Sequence, residues 1–252
     1  MILFFSACGN SRFVASRLAE FTGQRLMQIN PLDASPSLSL APQEPLGVVC
    51  PVYAWNTPRI VNNYIKRLSV SGSPSYLFLA LTCGDTVGRA PERFAKLLYS
   101  KGMSLNAAFS FVMPETYINL PGFNLDTPEG ARSKIEAVKM RLPLVAEKIN
   151  GRVGAVDVVR GKWSWLNSYL VNPLFYALLI TDRKFTVSDA CTSCALCQKL
   201  CPLQNISIVN GRPRWNGHCT NCMACYHHCP VNAIHFGKAT QRKGQYFFQD
   251  AR

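Results

Sequence analysis

Acidic side chains are scarce in this chain: 14 Asp and Glu stand against 27 Lys and Arg, leaving a formal net charge of +13. That imbalance argues for acidic partner proteins or anionic surfaces more than for nucleic acid. Histidine is rarer still, with only His218, His227, His228 and His235. No apolar run reaches the ~20 residues that a membrane-spanning helix needs. The nearest approach, 163–180, is interrupted by Ser164, Asn167, Ser168, Asn172 and Pro173. Neither G-x-G-x-x-G nor a Walker pattern occurs, so no dinucleotide or nucleoside-triphosphate site is signalled. The first residues lack the charged start and cleavage pattern of a signal peptide and read instead as a buried strand.

Cysteine, by contrast, is plentiful. Eight of the 11 cysteines fall in two runs, Cys191, Cys194, Cys197, Cys201 with Pro202, and Cys219, Cys222, Cys225, Cys229 with Pro230. Each run reads C-x-x-C-x-x-C-x-x-x-C-P, the spacing in which three thiolates hold one cubane and the fourth reaches across to a second. The runs repeat at a fixed offset of 28 residues, and Ile206 and Ile234 follow the same offset. This predicts an internal duplication with a pseudo-twofold axis. Paired zinc sites or a disulfide framework are the competing readings, but zinc sites draw on two separated ligand pairs rather than four cysteines in one run. The expected cofactors are therefore two 4Fe-4S clusters, and free thiols of this kind point to a reducing cytoplasm. With eight cysteines completing two cubanes, the histidines are expected to tune the clusters through hydrogen bonds rather than to ligate them.

Upstream, apolar runs of strand length at 2–6, 25–29, 46–52, 76–82 and 107–113 alternate with helical stretches, which predicts an α/β fold with a five-stranded, doubly wound parallel sheet. Asn10 and Ser11 are placed to cap a helix with Val14, Leu18 and Phe21 on one face; Pro58 opens a second, and further helices fit 90–101 and 128–149, the last with a kink at Pro143. Ligands of such sheets bind at the carboxyl ends of the strands, so the loops there carry the chemistry. The first, Ser6, Ala7, Cys8, Gly9, Asn10 and Ser11, has the make-up of a phosphate cradle at a helix N-terminus. The second, Pro51, Val52, Tyr53, Ala54 and Trp55, offers aromatics to a flat ring, and the third, Cys83, Gly84 and Asp85, brings backbone close. Taken singly, each also reads as an ordinary turn or as packing. Outside the clusters, Cys50 reads as a small buried hydrophobe and Cys8 and Cys83 as loop residues.

Together with Met113, Pro114, Glu115, Thr116 and Tyr117 and the two cysteine runs, these segments resemble the EFR-type fusion proteins of anaerobic bacteria and archaea, in which a flavodoxin-like domain precedes a two-cluster ferredoxin domain. The resemblance implies FMN on the three loops, with the phosphate on residues 6–11 and Tyr53 and Trp55 near the isoalloxazine. Two departures stand out: Cys8 where the family usually has Thr, and Asn56 where it usually has Gly, although Asn tolerates a left-handed turn. The implied organisation is a flavodoxin-like domain at 1–155, a helical connector at 156–184 and a small α+β two-cluster ferredoxin domain at 185–252. In the connector, Trp163, Trp165, Leu166, Tyr169, Leu170, Phe175 and Leu178 are expected to glue the two domains together. Asn210-Gly211 predicts a tight hairpin between 206–209 and 212–215.

A flavin beside two low-potential centres makes an intramolecular wire. The function expected is electron transfer to or from acidic redox proteins such as a ferredoxin, a flavodoxin or a reductase. The densest cationic surface is expected at Arg183, Lys184, Lys199, Arg212, Arg214, Lys238, Arg242 and Lys243. An FMN-dependent reductase of a small quinone, nitro compound or disulfide is the alternative.

Overall fold

The computed structural model describes residues 1–249. Its first part runs β1 (Ile2–Phe4), α1 (Asn10–Thr22), β2 (Leu26–Gln28), β3 (Ser37–Ser39), β4 (Leu46–Pro51), α2 (Arg59–Arg67), β5 (Ser69–Ser71), β6 (Leu77–Cys83), α3 (Ala90–Tyr99), β7 (Ala107–Val112), α4 (Pro128–Asn150) and β8 (Ala155–Asp157). Six of these strands form one parallel sheet in the order β2-β1-β4-β6-β7-β8, while β3 pairs separately with β5.

The sheet thus has six strands rather than five. Ala155, Val156 and Asp157 add to its edge beside Ala107, Ala108 and Phe109. Three residues are too few for a period-2 pattern to register in the sequence. The boundary expected after residue 155 falls inside this strand.

A parallel sheet needs cover on both faces, and its strands are apolar on both sides for that reason. Phe13, Val14 and Leu18 of α1 and Val138, Leu142 and Val145 of α4 pack on Ile2, Phe4, Phe78, Phe109 and Phe111. On the opposite face, Ile60, Val61 and Tyr64 of α2 and Phe94 and Leu98 of α3 cover Leu3, Val48, Leu79 and Leu81. Phe21, expected on the buried side of α1, is exposed. Pro143 leaves α4 unbroken, and Thr127 caps that helix by accepting a hydrogen bond from Gly130 N at 3.1 Å.

A helical segment follows, made of α5 (Ser164–Leu166), a π-helical stretch (Asn167–Val171) and α6 (Asn172–Leu178). Its polarity is the reverse of the expectation. Ser168, Asn172 and Tyr176 face the protein, whereas Trp163, Trp165, Leu166, Tyr169, Leu170 and Leu178 are exposed. Of the seven residues expected as glue, Phe175 alone is partly covered, its ring meeting Tyr117 edge-on at 5.6 Å.

The last part comprises β9 (Phe185–Val187), α7 (Leu196–Leu200), β10 (Ile206–Val209), β11 (Arg212–Trp215), α8 (Ala224–His227) and β12 (Ile234–Phe236). β10 and β11 form the expected hairpin, with Asn210 and Gly211 both left-handed at φ 50° and 76°. β9 and β12 pair antiparallel. The duplication is written into the backbone: left-handed residues recur as Ser193 and Asn221, Ala195 and Met223, and Gln204 and Asn232, each pair 28 apart. Around Phe185, Ile206, Met223, Tyr226, Ile234 and Phe236 a separate small core forms, into which Ile118 of the first part inserts.

Candidate functional site

The left-handed residues Ser193, Ala195, Asn221 and Met223 turn the chain tightly between cysteines three positions apart. Cys191, Cys194 and Cys197 line one small cavity together with Cys229 from the other run. Around Cys225 gather Cys222, Cys219, Cys201 and Cys197. Cys229 thus lies beside the first three cysteines of the other run, and Cys201 lies near Cys219, Cys222 and Cys225. Among the described residues no three Cys, His, Asp or Glu side chains converge tightly enough for a single ion. A cubane spreads its four thiolates over four irons and asks for no such convergence.

Burial pushes the Cys219 and Cys222 thiols up to about 12 and raises Cys225 well above its ordinary value. Such thiols give up their protons at neutral pH only in exchange for a metal. Three backbone N–H groups already point at sulfur: Asn205 N on Cys201, Asn221 N on Cys219 and Ala233 N on Cys229, each at 3.2 Å. Hydrogen bonds of this kind raise cluster potentials. The histidines were expected to supply them, but among the described residues no histidine is bonded to a cysteine sulfur. His227 is buried with Nε2 on Thr116 O at 2.8 Å and Nδ1 accepting from Tyr246 N at 3.2 Å. Burial pushes its imidazole down to about 4, against the opposing pull of the Thr116 carbonyl. His228 Nδ1 meets Ala224 O. Sequence spacing contains no signal for backbone donors to sulfur, beyond the two that share the offset of 28.

The three strand-end loops meet on one rim of the sheet. Gly9, with φ 94°, is the N-cap residue of α1, and neither Asn10 nor Ser11 caps it. Asn10 Nδ2 instead donates to Pro114 O at 2.9 Å while its Oδ1 accepts from Tyr246 at 3.1 Å, and Ser11 Oγ meets Thr82 Oγ1 at 2.7 Å. Ser6 Oγ accepts from Gly9 N at 3.1 Å. The N–H groups of Ala7, Cys8, Asn10 and Ser11 have no hydrogen-bond partner among the described residues, the condition of an anion cradle at a helix N-terminus. Cys8 turns its sulfur away from that cradle, to 3.8 Å from Cys222 O. Phe248 covers the loop, its N–H donating to Cys8 O at 2.7 Å and its ring 4.4 Å from that of Phe13.

The second loop is strained. Ala54 and Trp55 are left-handed at φ 46° and 60°, and Asn56, expected there, is not. Bulky residues hold that conformation only when their surroundings impose it. The clamp is the reversed helix: Asn172 Nδ2 donates to Tyr53 O at 3.2 Å and Ala54 O at 2.9 Å, and Ser168 Oγ donates to Trp55 O at 2.8 Å. Trp55 Nε1 donates to Thr86 Oγ1 at 3.1 Å, joining the second loop to the third. Asn172→Ala is expected to cost about 1–3 kcal/mol by stranding two carbonyls. Urea unfolding measures it, and a loss below about 0.5 kcal/mol would place it among surface changes and refute the clamp.

Tyr53 lies beside the cysteines of both parts. Burial first, and then the nearby Cys222 and Cys8, hold its phenol well above the ordinary value. In the third loop Cys83 is buried at the end of β6 with its sulfur 3.4 Å from Asp85 O, Asp85 is exposed, and the Glu115 carboxylate packs directly on Gly84. Pro51 ends β4 and Val52 follows it, with Val52 N bonded to Thr82 O at 2.8 Å. Next along the rim, Tyr117 OH and both amide atoms of Asn119 are buried without partners among the described residues.

A family model described as a 4Fe-4S dicluster domain matches residues 190–234. The chain thus carries a 4Fe-4S dicluster region, which supports an iron-sulfur electron-transfer role. Comparison with curated proteins and with solved structures gives no match.

Proposed function

We propose that the chain is an electron-transfer protein in which the two cysteine sets and the rim of the parallel sheet form one path. The observation that carries this reading is the contact between Cys8 of the first strand-end loop and Cys222 of the inner cysteine set. Bound 4Fe-4S clusters supply one-electron carriers at low potential. Cys194 is exposed, so the set of Cys191, Cys194, Cys197 and Cys229 is the outer terminal, and the set of Cys201, Cys219, Cys222 and Cys225 is the inner one. Each electron admitted at one end leaves at the other.

On this reading the rim holds FMN, whose ring takes one or two electrons when bound. The sheet order, with five strands as in flavodoxin-like folds plus an edge strand, supports it. The N–H groups of Ala7, Cys8, Asn10 and Ser11, unpartnered among the described residues, suit the phosphate, and the likewise unpartnered Tyr117 and Asn119 suit a polar ring. Tyr53, between Cys8 and the inner cysteines, is the better aromatic contact, because Trp55 is spent on Thr86. Of the eight cations expected to meet an acidic partner, two are held by ion pairs or hydrogen bonds, and Lys184 stands over the Phe236 ring at 6.0 Å. Arg212 pairs with Asp189, and Lys243 binds the carbonyls of Ile118, Leu120 and Phe123. The remaining six, Lys184 among them, are exposed and suit an acidic redox protein in a reducing cytoplasm.

Protein assembled anaerobically with iron, sulfide and FMN is expected to retain flavin and to reduce it from an acidic ferredoxin. Tyr53→Ala is expected to weaken FMN by roughly 1–3 kcal/mol, the scale of a lost aromatic contact and its burial. Preference for FAD, or no flavin bound at excess FMN, refutes the rim assignment. Rapid saturable turnover of a small quinone with no exchange with any acidic carrier would make the protein a reductase.

A further inference from the structure

We propose that the outward face of the helical segment 164–178, with Trp163 before it, docks into the interface of a bilayer that contains anionic lipid. Trp163, Trp165, Tyr169, Leu170, Leu174 and Leu178 are exposed by 76, 62, 43, 52, 50 and 73%. A helix on a soluble surface turns its apolar stripe inward. This one spends its polar residues inward, on the carbonyls of the second loop, and on Arg59 N through Tyr176 OH at 3.4 Å. The polar contacts fix which way the helix faces, so the apolar row is held outward by the fold and cannot roll in to hide itself. A continuous apolar row of this kind marks an interaction site.

Shape, composition and charge select the occupant. The face is a ridge along a helix of roughly 20 Å, a shape that inserts into a soft medium. Its tryptophans, tyrosine and leucines are the residues that settle at the level of lipid headgroups. No helix among the described residues is long and apolar enough to cross a membrane, so the geometry is that of a helix lying in the interface. Between Asp157 and Asp182 the sequence has no Asp or Glu, and its only charges are Lys162 and Arg160, the latter paired with Glu92. Arg93 stands over the Tyr169 ring at 5.3 Å and Arg59 over the Tyr176 ring at 3.9 Å, while Arg183 and Lys184 follow the helix, exposed. Cations flanking an apolar ridge, within a chain of net charge +13, complement an anionic headgroup layer.

The test is flotation of the full, cluster-loaded chain with vesicles of phosphatidylcholine alone and of phosphatidylcholine mixed with phosphatidylglycerol. The chain is expected to float with the mixed vesicles, with a blue shift of tryptophan emission, and to stay behind with the neutral ones. The triple variant Trp165→Ser, Leu170→Ser, Leu174→Ser is expected to lower partitioning at least about tenfold. These side chains are exposed, so its far-ultraviolet dichroism and cluster absorbance should match the parent. Lys162→Glu with Arg183→Glu should weaken binding while leaving the ridge intact. Failure to float with either vesicle, or equal flotation with both, overturns the proposal. A dimer that the same triple variant dissolves, without vesicle binding, assigns the face to a second copy and also overturns it.

Discussion

Cys201→Ser is expected to remove about half of roughly eight irons and to abolish the signal of the inner set, while the set of Cys191, Cys194 and Cys197 keeps its cluster. Cys229→Ser is expected to do the converse. The crossing follows from the fold. Cys201 ends α7 and leaves with an extended backbone, ψ 112°, which carries its thiol from its own run toward Cys219, Cys222 and Cys225. The cost is large because the inner thiols are buried and raised. Without iron they are protonated in a small core that depends on Cys225, Met223 and Tyr226 for its packing. Low-temperature paramagnetic resonance with anaerobic iron and sulfide analysis separates the two variants. Identical spectra for both, or loss of the outer signal in Cys201→Ser, would refute the crossed ligand sets.

Phe78→Ala is expected to destabilise the first part by about 3–5 kcal/mol, the range for a fully buried phenylalanine whose site cannot collapse. Phe78 is fully buried on β6, and its ring occupies the space over Gly47 of β4, where even a Cβ would lie 2.2 Å from it. The glycine that makes room for the ring has no side chain with which to fill the hole. Both strands are central and hydrogen-bonded on either side, so the backbone cannot close it. Guanidinium unfolding followed by far-ultraviolet dichroism measures the loss. The complementary change, Gly47→Ala, is expected to be destabilising as well, through collision with the same ring. A loss below about 1.5 kcal/mol in Phe78→Ala would mean that Tyr76, whose ring centre is 6.2 Å away, moves in.

Local chemistry made much of this protein legible from its residues alone. Cysteines three and four positions apart followed by proline specify their own turns, so the dicluster region, the duplication and the hairpin could all be read from spacing. The central strands could be read because strands buried on both faces leave uninterrupted apolar runs, and the helices between them because their apolar faces repeat at helical spacing. What stayed illegible depends on contacts distant in sequence. Nothing in Ala155, Val156 and Asp157 announces an edge strand, because their pairing is decided by the open side of β7. Apolar residues at helical spacing in 163–178 read equally well as glue or as an outward ridge. The choice falls to Ser168 and Asn172, whose partners are carbonyls more than a hundred residues earlier. The strain at Ala54 and Trp55, the turn of Cys8 toward Cys222 and the cover of Phe248 over Gly9 are likewise tertiary. A sequence fixes which side chains are available to bond, and only the folded chain decides which of them are close enough to do so.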